Sequence, residues 1–142
     1  MSIKKVVVAG GGVLGSQIAL QSAYCGFNVT IWLRSEGSIE RTKVKLEKFK
    51  NAYLEDLEAM QTNEMAYCRG LIKKEDISDE KIEELKEQVM NAYESITLTT
   101  SYEEAAKDAD LIIEAIAEIP EEKIAFYQEL AKYMPEKTIL VT

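Results

Sequence analysis

The sequence predicts an α/β domain: a doubly wound parallel sheet of five strands in the order 3-2-1-4-5, with a long helical excursion between strands 2 and 3. Three observations carry that expectation. Residues 6–9 (Val-Val-Val-Ala) form a short apolar run, as a strand buried on both faces does. Gly10, Gly12 and Gly15 follow at G-x-G-x-x-G spacing and lead into an amphipathic segment. Strand-like runs then recur at residues 28–33, 95–99, 110–116 and 138–141, separated by segments of helical period.

Each element has its own warrant. The helix that starts at Val13 ends near residues 24–26, where Gly26 suits a left-handed cap. Asn28 to Leu33 is β-branched and aromatic, so strand, helix and strand make a right-handed βαβ unit. Leu46, Phe49, Tyr53, Leu57 and Met60 recur at three- and four-residue steps and mark one face of a long helix. Ile82, Leu85, Val89 and Tyr93 mark a second, with Ser78 or Asp79 as its N-cap. Residues 67–70 end a helix or turn. Ser101 and Glu104 form a capping box for a short helix through Lys107. Pro120 opens a last helix that runs to about Met134.

Composition bounds the function. The chain has 142 residues, 46% hydrophobic and 30% charged, which fits a single soluble domain over 1–142. A net charge of −8 disfavours nucleic acid and anionic membrane, both of which need a basic face. No apolar stretch approaches the roughly 20 residues of a membrane span. Cys25 and Cys68 lack metal-ligand spacing and read as reduced thiols of a cytoplasmic protein. There is no histidine, so imidazole acid–base chemistry is closed to these residues alone.

The chemistry that the sequence does support is anion binding. The first glycine permits a tight turn, the second lets a pyrophosphate approach the backbone, and the third brings helix and strand together. Gly10, Gly11, Gly12, Val13, Leu14 and Gly15 are therefore the expected cradle, with unpaired N–H groups at the helix start. Ligands in such sheets bind beyond the carboxyl ends of the strands, which puts the loops after Ala9, Leu33, Ile116 and Val141 at the site. An acid at the end of the second strand would accept from the adenine ribose and repel a 2′-phosphate. Leu33 stands there instead, followed by Arg34 and Ser35, with Arg41 and Lys43 nearby. This pattern favours NADP over NAD, although Arg34 also reads as a surface arginine with Glu36 reaching the ribose. Ala115 and Ala117 are small enough for close backbone approach, and Glu118 precedes a helix start that favours a carboxylate with or without a ligand.

Residues 6–19, residues 109–118 with Lys123, and the strand at 138–142 together resemble the 3-hydroxyacyl-CoA dehydrogenase family, as does the helical excursion. The resemblance implies a Rossmann cofactor domain of an oxidoreductase that interconverts 3-hydroxyacyl-CoA and 3-oxoacyl-CoA in fatty acid metabolism. It also implies cofactor contacts at Glu118 and Lys123. The family usually has aspartate where this chain has Leu33, which puts its customary NAD preference in question here. By the same resemblance, the catalytic histidine and its partner glutamate lie past the last strand, as does the helical domain that closes the cleft and forms a homodimer. No catalytic residue is assigned, and the 142 residues are expected to bind dinucleotide without turning over acyl-CoA. The alternatives are a stand-alone redox-sensing module and the cofactor domain of another β-hydroxyacid dehydrogenase.

Overall fold

A computed structural model describes residues 2–142, apart from the Glu64 side chain. Five parallel strands form one sheet in the order β3-β2-β1-β4-β5, with β1 at Lys5–Ala9, β2 at Asn28–Trp32, β3 at Thr97–Thr99, β4 at Leu111–Glu114 and β5 at Ile139–Val141. Helices α1 (Val13–Tyr24), α2 (Glu36–Met60), α3 (Asp79–Ser95), α4 (Tyr102–Ala106) and α5 (Pro120–Ala131) connect them. The expected order and the helical excursion are both present.

Side-chain alternation divides the core into two layers. Val6, Val8, Val29 and Ile31 pack with Leu20 of α1, Leu46 and Leu57 of α2, and Ile82 and Val89 of α3. Val7, Ala9, Trp32 and Ile112 face the other way, onto Ala105 and Ala106 of α4 and Phe126 and Leu130 of α5. The register pairs Val7 with Thr30 and Ile112, both buried, so this residue of β1 has buried neighbours on either side. On this second face Trp32 stacks between Tyr102 and Phe126, with ring centroids at 4.6 and 5.1 Å.

The helix starts follow the serines. Ser35, Ser78 and Ser101 cap α2, α3 and α4 by accepting from the N–H of Ser38, Lys81 and Glu104. The capping box at Ser101 is only half made. Glu104 turns back to the Thr99 hydroxyl at 3.0 Å, and that hydroxyl accepts the Ser101 N–H at 3.1 Å. Pro120 fills the first position of α5, and Gly26 and Gly70 take left-handed φ values of +101° and +102° in their turns.

Strand 3 is shorter than the sequence predicts. Residue 95 closes α3 rather than opening the strand, because the apolar step Val89, Ala92, Ile96 keeps helical spacing to its end. The two thiols are free. No helix among the described residues is long and apolar enough to cross a membrane.

Asp110 fastens the amino-terminal edge of the sheet. Its carboxylate accepts the N–H groups of Lys4 and Lys5 at 2.9 Å each and the Lys137 ammonium at 2.9 Å. The Lys5 N–H, then Lys137 and the Lys4 N–H, hold this carboxyl well below the usual aspartate range. A depressed folded pKa contributes stability that is whole above the unfolded value of about 3.9 and is lost as pH falls through the folded one. Asp110→Asn is therefore expected to melt below wild type at neutral pH, with the gap closing as pH drops under about 4. Circular dichroism melts across pH check this, and a gap independent of pH would count against it.

Candidate dinucleotide-binding site

The β1–α1 turn explains its own glycines. Gly10 has φ +120°, and a Cβ there would lie 2.5 Å from the Ala115 carbonyl oxygen. A Cβ on Gly11 would run into the Thr42 hydroxyl and the Leu33 side chain, and one on Gly15 into the Gly10 carbonyl oxygen. Only Gly12 faces open space, with nothing within 4 Å of an added Cβ. Three positions are closed by the protein itself, and the fourth opens outward at the start of α1. There α1 has neither a side-chain cap nor an acidic residue in its first turn, whereas α2, α3 and α4 have serine caps and α5 opens with Glu121 and Glu122. Its first N–H groups remain available to an anion.

The turn borders a cleft of about 730 Å³ at the carboxyl ends of β1, β2 and β4. Gly10, Gly11, Gly12, Arg34, Ala115 and Ala117 all line it, as the sequence predicts. Gly15 is buried beneath, while Val13 and Leu14 are exposed in the first turn of α1 and lie outside the lining. Ser35 also lies outside, and its hydroxyl is committed to capping α2. Lys43 turns away from the cleft and pairs with Glu40 at 3.3 Å. Glu36 is exposed in the first turn of α2 and does not reach the cleft.

Lys45 occupies the position in the cleft that the sequence reading gave to Lys43. Ser38, Arg41, Thr42 and Lys45 share one face of α2 and line the cleft together. Thr42, fully buried, and Lys45 donate to the Gly11 carbonyl at 3.3 Å each, and Ser16 of α1 donates to the same oxygen at 3.1 Å. Arg41 donates to the Ser38 hydroxyl at 3.0 Å. In a chain of net charge −8, the cleft lining has three cations (Arg34, Arg41, Lys45) against one acid, Glu122. This reverses the sign of the protein at the place where the glycine turn offers free N–H groups.

Beside the cleft lies a carboxylate the sequence reading passed over. Glu114 ends β4 with its side chain 1% exposed. It accepts from the Ile116 N–H (2.8 Å), the Tyr127 hydroxyl (3.0 Å) and the Thr142 hydroxyl (2.9 Å), and pairs with Lys123 at 2.9 Å. Burial alone would raise this carboxyl, but the hydrogen bonds from Lys123, Thr142, Ile116 and Tyr127 together hold it below the ordinary glutamate value. Lys123 also pairs with the exposed Glu118 at 2.7 Å, and the bonds to Glu118 and Glu114 raise its ammonium above the usual lysine range. Glu118 and Lys123 therefore adjoin the cleft as a coupled pair, outside its lining. An acid inside the apolar run Ile112-Ile113-Glu114-Ala115 was the signal available for Glu114.

The cradle fits a dinucleotide: three glycines closed by backbone and side chains, one open toward the cleft, an uncapped helix start, and a cationic wall opposite. Fold and site together define a dinucleotide-binding domain of the Rossmann class. Residues 5–142 match the family described as 3-hydroxyacyl-CoA dehydrogenase, NAD binding domain, and the chain belongs to it. It is 28% identical over 142 residues to the probable 3-hydroxybutyryl-CoA dehydrogenase of Bacillus subtilis (strain 168), covering all of this chain and 40% of that one. It is also 28% identical to the mitochondrial hydroxyacyl-coenzyme A dehydrogenase of Rattus norvegicus, over 99% of this chain and 38% of the relative. Among solved structures, a diketoreductase superposes with a TM-score of 0.73 at 29% identity, covering 99% of this chain and 41% of that one. The chain thus spans about two fifths of the length of these proteins.

Proposed function

We propose that this chain is the cofactor half of an oxidoreductase that interconverts 3-hydroxyacyl-CoA and 3-oxoacyl-CoA, and that its cleft takes NADPH in preference to NADH. The glycine cradle supports the cofactor role, since it is built from positions that tolerate nothing larger around one position left open, and membership of the 3-hydroxyacyl-CoA dehydrogenase family supports the substrate class. When bound there, the nicotinamide supplies or accepts the hydride. The chain's own groups hold and orient it: the α1 start and Gly10–Gly12 at the pyrophosphate, Ala115 and Ala117 along the ribose, and Glu118 with Lys123 at the nicotinamide half. These 142 residues include no histidine, so on their own they bind without turning over acyl-CoA. The acyl-CoA partner and a homodimer belong to the complete enzyme.

The cofactor preference is supported by Leu33, buried and apolar at the end of β2, and by Arg34, Arg41 and Ser38 beside it in the lining. An arginine on a phosphate contributes roughly 1.5–3 kcal/mol. Arg34→Ala is therefore expected to weaken NADPH about tenfold to a hundredfold and NADH less than about threefold, measured by isothermal titration. Equal loss of both ligands, or loss of neither, would remove Arg34 from the 2′-phosphate.

The likeness to a diketoreductase favours a second reading, in which the substrate is a dicarbonyl compound without coenzyme A. Comparing 3-hydroxybutyryl-CoA with such compounds on the full-length protein separates the two.

A further inference from the structure

Arg34 and Glu122 meet across the cleft. Arg34 follows β2, Glu122 sits in the first turn of α5, and Nη1 to Oε1 is 2.8 Å. Both side chains line the cleft, 72% and 39% exposed. Of the three cations in the lining, Arg34 alone is ion-paired among the described residues. Arg41 holds a hydroxyl and Lys45 a carbonyl, neither of which cancels charge.

We infer that Glu122 is a specificity-determining residue, an acid delivered from α5 that competes with a ligand's 2′-phosphate for Arg34. The inference rests on the proposed role of Arg34 in NADP binding. A phosphate that engages the guanidinium competes for it with the Glu122 carboxylate, and it lies beside that negative charge. A ligand with a free 2′-hydroxyl leaves the pair intact and meets neither cost. Glu122 thus does from the far wall what an acid at the end of β2 does in an NAD-selective site, where this chain has Leu33. The acid is absent from its usual strand end and present one element away. By its place in the first turn of α5, Glu122 looks like an ordinary acid of a helix start. Only the closure of the sheet brings it to Arg34.

Glu122→Gln tests this because it keeps the side chain's size, removes its charge, and alters a partly exposed position outside the packed core. Isothermal titration of wild type, Glu122→Gln, Arg34→Ala and the double variant with NADPH and NADH gives a complete cycle. The expected result is NADPH bound about threefold to fivefold more tightly by Glu122→Gln, with NADH changed less than about twofold, as for one partly exposed ion pair. In the Arg34→Ala background the gain should fall below about twofold, and in the single variant it should shrink as salt is raised. An equal gain for both nucleotides, no gain, or the same gain without Arg34 would overturn the role of Glu122. If Arg34→Ala leaves NADPH binding unchanged, the Arg34 reading itself fails and Glu122 falls with it.

Discussion

Gly12→Ala is expected to fold like wild type and to lose dinucleotide binding, while Gly15→Ala is expected to lose the fold's stability. The contrast comes from two glycines three residues apart. An added methyl at Gly12 meets no protein atom within 4 Å, and the φ of −70° there suits any residue. The methyl projects into the space at the uncapped start of α1, where an anion must come close to the backbone. NADH affinity should fall on the order of 100-fold with the melting temperature nearly unchanged. At Gly15 the added carbon collides with the Gly10 carbonyl, a backbone atom that cannot swing aside, so α1 must shift off β1. Alanine would otherwise gain about 1 kcal/mol over glycine in a helix. A net loss of about 2–4 kcal/mol, roughly 10 °C in melting temperature, would therefore mean a collision costing about 1 kcal/mol more than that loss. Calorimetry on both variants checks the pair. Equal melting temperatures, or intact NADH binding by Gly12→Ala, would contradict it.

Glu114→Ala should be strongly destabilising, at about 3 kcal/mol. The carboxylate lies between β4, α5 and β5, and its loss strands Lys123 in a site where that side chain is only 20% exposed. Glu118 remains to pair with the lysine, which places the cost at the low end for a broken buried pair. Glu114→Gln should cost less, because an amide oxygen still accepts from Tyr127 or Thr142. The same pair has a pH window. Glu114, depressed in the fold, contributes above its unfolded value of about 4.3 and is lost as pH falls through its folded value. Lys123, raised in the fold, contributes below about 10.4 and is lost as pH climbs through its higher folded value. The destabilisation by Glu114→Ala should thus be full between these limits and shrink beyond both. A melting difference that ignores pH would assign the cost to packing instead.

Most of the fold was legible because local signals agreed with the global one. A buried strand, a glycine turn and an apolar stripe each point to the same unit, and Ser78 and Ser101 mark two helix starts. Where two periods competed, as at residues 95–96, the helix took the first residue of the expected strand and capped on the second. The site was half legible. The cradle is local in sequence, so spacing finds it. The cationic wall is not, since α2 shows the cleft only one face of its early turns. On a helix, residues 41 and 45 share a face and residue 43 points away, so the start fixed by Ser35 decides between Lys43 and Lys45. The Arg34–Glu122 and Glu114–Thr142 contacts join residues 88 and 28 positions apart in the chain, and no periodicity encodes them.

Trp32 gives this architecture an optical consequence. It is the chain's sole tryptophan, it borders the cleft, and its indole N–H is held by the Thr100 carbonyl at 3.1 Å between two other aromatic rings. Its emission therefore comes from one fixed chromophore at the edge of the cleft, with no second indole to dilute it. A reduced nicotinamide absorbs where tryptophan emits, so filling the cleft should quench that emission by energy transfer. The protein thus contains its own label for ligand occupancy, and competing ligands can be ranked by how fully they restore the light.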